Sequence, residues 1–126
     1  VDEALYQLIQ SKTPITDIIG GRFYPLIRQG NSVPAATYRK IPSMREYNYD
    51  GEINLQFQNY DCHFYASDYG VLQNLVETFS NEISESSGSY GGKQIDYVWT
   101  SEFGHDDYLE EQELYTDMIE IKIAFN

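Results

Sequence analysis

Asp61-Cys62-His63 puts a carboxylate, a thiol and an imidazole in consecutive positions, the ingredients of an activated cysteine nucleophile. The surrounding residues argue against that chemistry. Tyr60, Cys62, Phe64 and Ala66 alternate with Asp61, His63 and Tyr65, a strand pattern in which neighbouring side chains point to opposite faces. The thiol then cannot reach His63, and Cys62 reads as a small core residue. His105-Asp106-Asp107, followed by Glu110, Glu111 and Glu113, offers oxygen ligands for a hard cation. It lacks the spacing and central glycine of a calcium loop, so it reads as an acidic, solvated loop without metal. Gly20-Gly21 follows a helix pattern rather than opening one, and the 87–92 stretch (SGSYGG) lacks the Lys-Ser/Thr ending of a phosphate loop. With no nucleophile-elbow serine and only two histidines, the expectation is a protein that is not an enzyme and takes no cofactor.

The charges carry more information. Across 126 residues the formal net charge is −12, which excludes nucleic-acid binding through an overall positive field. Residues 1–45 hold six bases (Lys12, Arg22, Arg28, Arg39, Lys40, Arg45) against three acids, whereas residues 46–126 hold Lys93 and Lys122 against seventeen acids. This segregation is either a solubility surface or two faces of opposite sign, suited to docking one copy onto the next. Twelve tyrosines add a second signal. Tyr47, Tyr49, Tyr65, Tyr69, Tyr90 and Tyr108 fall in loops or at element ends, where large rings that lose little entropy serve protein contacts. The arm 43–52 is the segment most suited to such contacts. An apolar content of 41% is too high for a disordered tail, and a lone cysteine excludes a disulfide framework. The first residues show no basic-then-apolar export signal, and no apolar run approaches the ~20 residues of a bilayer span. The expectation is a soluble, intracellular chain forming one domain over 1–126.

The elements that position these residues follow from spacing. Leu5, Leu8 and Ile9 form one helical stripe, and Thr13-Pro14 restarts a second short helix with Thr13 as N-cap, ended by Gly20-Gly21. A turn leads into Arg22-Phe23-Tyr24-Pro25, and residues 36–41 read as a strand stopped by Pro42. Residues 43–52 form a long hairpin arm around Asp50-Gly51. Ile53, Leu55 and Phe57 alternate on odd positions and Tyr60 to Ala66 on even ones, so the long strand either bulges near Gln58-Asn59 or changes partners along its length. Ser67 or Asp68 caps a helix running to Ile83 on Leu72, Leu75, Val76 and Phe79. Residues 84–92 read as a flexible connection, and Gln94 to Phe103 as a strand with Ile95, Tyr97 and Trp99 on one face. Residues 104–113 read as an acidic loop, and the chain closes on a strand alternating through Ile119, Ile121, Ile123 and Phe125. The fold class expected is α+β, a mostly antiparallel four- to five-stranded sheet with helices packed on one face.

This linear order resembles the tail-completion proteins of long-tailed bacteriophages, also called tail terminators or head–tail joining proteins. The resemblance covers nearly the whole chain: a Leu5-Tyr6 helix, Gly20-Gly21-Arg22-Phe23-Tyr24-Pro25-Leu26, a turn with Gln29, Val33-Pro34-Ala35-Ala36-Thr37-Tyr38, and Tyr49-Asp50-Gly51 in the arm. Tyr60-Asp61-Cys62-His63-Phe64-Tyr65-Ala66 is similar to the family's central strand, with His63 where tryptophan is common. Tyr69, the Leu72-Leu75-Val76 helix and Asp107-Tyr108 before the last strand complete it.

The resemblance implies a homo-hexameric ring at the head-proximal end of the tail tube, in the neck of the virion and assembled in the host cytoplasm. Such a ring stops tube polymerisation and gives the head connector or stopper protein a docking surface. Its implied partners are other copies of itself, the tail tube protein and the connector, with no membrane. Genome DNA would pass an acidic lumen without specific binding, since acids repel phosphates and let the duplex slide. A ring also needs a heterologous interface. Arg22, Arg28, Arg39 and Arg45 meeting Asp106, Asp107, Glu110 and Glu111 is the expected pairing, with Tyr47, Tyr49 and Asp50 touching the tail tube or a neighbour. Two alternatives remain: another neck protein such as a stopper or head-side adaptor, and an acidic DNA mimic using the base-free 102–120 stretch.

Overall fold

The computed structural model describes residues 2–28, 30, 32–41, 56–101 and 107–126. Helix α1 (Asp2–Ser11) opens with Asp2 and Glu3, where the helix dipole favours acids, and buries Ala4, Leu5, Leu8 and Ile9. Helix α2 (Thr13–Ile19) ends at Gly20, whose φ of 64° is one that glycine adopts without a Cβ penalty. The expected cap is displaced by one residue. Lys12 is the N-cap without a side-chain cap bond, and Thr13 is already helical. A first-turn N–H has no intrahelical partner, so Pro14 is accommodated in the second helical position and the helix starts earlier.

Seven strands follow among the described residues, with one more helix between them: β1 (Phe23–Pro25), β2 (Ala35–Ile41), β3 (Gln56–Ala66), α3 (Tyr69–Ile83), β4 (Gly88–Tyr90), β5 (Lys93–Thr100), β6 (Asp107–Leu109) and β7 (Leu114–Phe125). They form one sheet in the order β1-β2-β3-β7-β5-β4, with β6 beside β7. Only β1 and β2 run parallel; the other pairs are antiparallel. The α+β class holds, but the sheet is larger than four to five strands. The extra strands, β4 and β6, lie in segments read as loops. Each is three residues long, and the neighbouring ladder makes it a strand where its own composition does not.

Register explains two further differences. β3 pairs with β7 without interruption from Gln56↔Phe125 to Ala66↔Tyr115, so the described part of β3 contains no bulge. Phe57 simply faces away from the helices while Tyr60, Cys62, Phe64 and Ala66 face them. The irregularity lies in β5 instead, where the register shifts between Ile95 and Tyr97. That shift puts Ile95 and Val98 in the core and leaves Trp99 exposed, instead of sharing a face with Ile95.

The buried residues of all three helices join Ala36, the inward face of β3, Ile95 and Val98 of β5, and Ile119, Ile121 and Ile123 of β7 in one core. Phe64 meets Phe79 of α3 edge-on at 4.9 Å, and Phe23 stacks on Tyr38 at 4.7 Å. Helix α3 starts at Asp68, whose Oδ1 accepts from the Val71 N–H at 3.2 Å. Helix α1 is tied to the sheet by a polar link: the Tyr60 hydroxyl donates to Asp2 Oδ1 at 2.5 Å, and Lys40 Nζ lies 3.5 Å from the same oxygen.

Candidate assembly surfaces

Arg22 and Arg28 flank the edge strand β1. The Arg22 Nε donates to the Pro34 carbonyl at 2.8 Å, which holds that side chain half-buried against the loop before β2. The Arg28 guanidinium lies 5.5 Å from the centre of the Tyr65 ring. Arg39 is exposed on β2, opposite Asp61 in register. Between Arg22 and Arg28 the chain does something costly. Leu26 takes a left-handed φ of 66°, where an L side chain is strained, and donates its N–H to Tyr38 O at 2.9 Å. Leu26 and Ile27 are then 67% and 73% exposed. Pro25 has no N–H to offer, which blunts the β1 edge against backbone pairing.

The acids gather on the other side of the sheet. β6 and β7 form a hairpin whose turn, 110–113, carries Glu110, Glu111 and Glu113, all exposed like Asp107. Asp107 Oδ1 accepts from the Tyr108 N–H at 2.8 Å, and Glu113 closes the turn at φ 55°. Beside them Tyr108 and Tyr69 pack on Tyr115, with ring centres 4.8 and 5.5 Å apart, and remain 43% and 45% exposed. β6 and β1 lie at different margins of the sheet. One row reads Ala35↔Tyr65↔Thr116↔Asp107, and β1 pairs with β2 from the neighbouring Ala36 onward. Four strand steps separate them, about 19 Å at ~4.8 Å per step. No ion pair joins Arg22, Arg28 or Arg39 to Asp107, Glu110 or Glu111 among the described residues. Arg45, Asp106, Tyr47, Tyr49 and Asp50 lie outside the described residues.

The sheet face opposite the helices carries a third feature. Trp99 sits between Tyr97 and Phe57, with ring centres 4.6 and 6.2 Å away. The Lys122 ammonium lies 4.6 Å from the Phe57 ring centre and 5.8 Å from that of Trp99, a cation held over two aromatic faces. On the same face Asp61 Oδ1 is sheltered from solvent with no hydrogen-bond partner among the described residues. Cys62 points the other way, fully buried. Its thiol is pushed well above the ordinary range by burial first and by the Asp61 charge second. A thiol held protonated is no nucleophile. Among the described residues no cluster of three His, Cys, Asp or Glu side chains could hold a metal, and no helix is long and apolar enough to cross a membrane.

The arrangement of helices and strands is shared with a known particle. A chain in the virion of the native gene transfer agent particle superposes with a TM-score of 0.70 over 97% of this chain and 91% of that chain. The fold is common to both. At 10% identity the likeness carries the fold and nothing finer. No protein-family model matches the chain, and no curated protein does.

Three exposed apolar residues escape the sequence reading. Leu26 and Ile27 fall between Pro25 and the turn with Gln29, where the sequence assigns no element, and Trp99 reads as sharing one face with Ile95 and Tyr97. The signals for the first two are the two aliphatic residues directly after Pro25 and between two arginines.

Proposed function

We propose that this chain is a virion structural protein, the tail terminator of a long-tailed phage. Copies of it form a six-fold ring on the head-proximal end of the tail tube, stop the tube growing and present the surface on which the head connector docks. The observation that carries the reading is the end-to-end fold likeness to a chain of a gene transfer agent virion. The order of short motifs along the sequence narrows it to the tail-completion family. The separation of basic and acidic residues onto different margins of one sheet supports a head-to-tail assembly, because a heterologous interface needs two unlike surfaces on each copy. The remaining acids suit a channel through which DNA slides, where positive charge would grip the phosphates.

The test is electron microscopy of lysates of the encoding phage with this gene deleted. Full heads lying apart from tails, with some tails overlong, are expected. Tails of normal length beside leaking heads would assign the chain to the head side of the neck, as a stopper or adaptor. Normal infectious particles would remove both readings and favour an acidic protein that competes with DNA for an enzyme.

A further inference from the structure

Two surfaces beyond different edges of the sheet are both partly apolar and carry opposite charge. One is aliphatic and basic: Leu26 and Ile27, among the most exposed large apolar residues, flanked by Arg22 and Arg28. The other is aromatic and acidic: Tyr69 and Tyr108, packed around Tyr115 and bordered by Asp107, Glu110 and Glu111. Each surface alone is a liability. Leu26 is held in a strained backbone conformation that leaves its side chain in water, and two half-exposed tyrosines stand beside a run of carboxylates that no cation pairs among the described residues. Burying one against the other takes the aliphatic side chains out of water and gives the carboxylates a counter-charge.

We propose that the occupant of each surface is a second copy of this chain. Leu26 and Ile27 of one copy seat on the Tyr69–Tyr108 cluster of the next, with Arg28 turned to the carboxylates of the β6–β7 hairpin. The charge complementarity selects a copy over an unrelated partner, because the chain itself supplies both halves of the match. The geometry makes the contact head-to-tail. The two surfaces lie beyond different strand edges, four strand steps or about 19 Å apart across the sheet. They are displaced along it as well, since Leu26 follows the Pro25–Tyr38–Cys62–Ile119 row whereas Tyr108 pairs with Tyr115. Each copy therefore offers one to each neighbour and the contact propagates. Pro25 excludes a continuous intersubunit β-ladder at the β1 edge, so the junction is made by side chains. Tyrosine, large and amphipathic, is the residue type that anchors such junctions. This inference deepens the ring reading and names the residues that would close it.

The test is disulfide trapping between variants that each carry one added cysteine, with native Cys62 left in place because it is buried. Ile27→Cys and Tyr108→Cys replace exposed side chains, so both variants keep the fold, which circular dichroism checks. Mixed at high protein concentration, they should cross-link at least about tenfold faster than either alone, and faster than Ile27→Cys with Asn81→Cys on the exposed side of α3. The double variant Ile27→Cys/Tyr108→Cys should give a ladder of multimers. Raising salt from about 50 mM to about 500 mM should slow trapping several-fold, since exposed charges are screened within a shorter Debye length. Ile27→Cys trapping itself as fast as the mixture would overturn the head-to-tail contact. Equal background rates for all pairs would mean that a different partner covers these surfaces. A ladder together with normal tails in the deletion phage leaves the interface standing and removes the terminator role; overlong tails without a ladder do the reverse.

Discussion

Raising the pH should lower the stability of this protein along a slope that steepens twice, because two buried groups, Cys62 and Tyr60, resist losing their protons in the fold. Cys62 is fully buried and its thiol is raised far above its ordinary value by burial, then by Asp61. Tyr60 is also fully buried, and its hydroxyl is raised by burial first, then by the hydrogen bond to Asp2 and that carboxylate's charge. In the unfolded chain these groups titrate near about 8.5 and about 10. Above those values the unfolded state loses a proton that the native state keeps, so stability falls as pH rises. Each group contributes a slope of about 1.4 kcal/mol per pH unit. Cys62 alone should cost about 2 kcal/mol by pH 10, and Cys62 with Tyr60 about 5 kcal/mol by pH 11. That is a large part of the 5–15 kcal/mol or so that folded chains of ordinary size possess.

The assay is urea denaturation followed by circular dichroism at pH 7, 9, 10 and 11, for the native chain, Cys62→Ala and Tyr60→Phe. Cys62→Ala should start somewhat less stable, since it removes buried sulfur, but lose less between pH 8.5 and pH 10. Tyr60→Phe should follow the native chain to pH 10 and diverge above it. The comparison of slopes cancels the lysines and exposed tyrosines common to all three. Parallel losses for Cys62→Ala and the native chain through pH 10 would refute the reasoning, for they would mean that the thiol ionises as readily in the fold as outside it.

Phe64→Ala removes a ring that meets Phe79 at 4.9 Å in the middle of the core and should cost about 3–5 kcal/mol, read from the urea midpoint at unchanged slope. Gly91→Ala should cost about 1–3 kcal/mol and loosen α1 from the β4–β5 turn, because φ is 56° and a Cβ would come within 2.8 Å of the Ala4 nitrogen. Amide hydrogen exchange along α1 would report the loosening. Reversing Asp106, Asp107, Glu110 and Glu111 together should leave the monomer folded, with stability changed by less than about 1 kcal/mol, since the described members are exposed. Loss of the circular dichroism signal would count against that.

What the sequence revealed of this fold is what local physics decides. Leu72, Leu75, Phe79 and Ile83 repeat at helical spacing after a capping Asp68, and α3 begins and ends where that pattern does. The even positions of β3 and the isoleucines of β7 alternate because one face of each packs on helices. Trp99 was illegible because a single extra residue, Asp96, reverses the phase of β5, and nothing in the residues from Lys93 to Tyr97 announces a bulge whose cause is the partner strand. β4 and β6 were illegible for a related reason: their pairing is contributed by β5 and β7. The arginine and acid sets were visible as segregated charge, but their separation on the sheet is a matter of topology. It depends on β3 and β7 standing between them.

In the proposed ring, that topology would also divide the acids by role. If Asp107, Glu110 and Glu111 face a neighbour's arginines, their charge is spent at the junction and cannot face DNA. Under the proposed function, repulsion of DNA in the channel would then fall to other carboxylates, of which Glu77, Glu85 and Asp96 are exposed on α3, the turn after it and β5. The two tasks are separable by mutation. Reversing the hairpin acids should block assembly while leaving the folded monomer intact. Neutralising Glu77, Glu85 and Asp96 should leave cross-linking between Ile27→Cys and Tyr108→Cys unaffected. A chain whose acids served only solubility would show neither asymmetry, because every exposed carboxylate would then be equivalent.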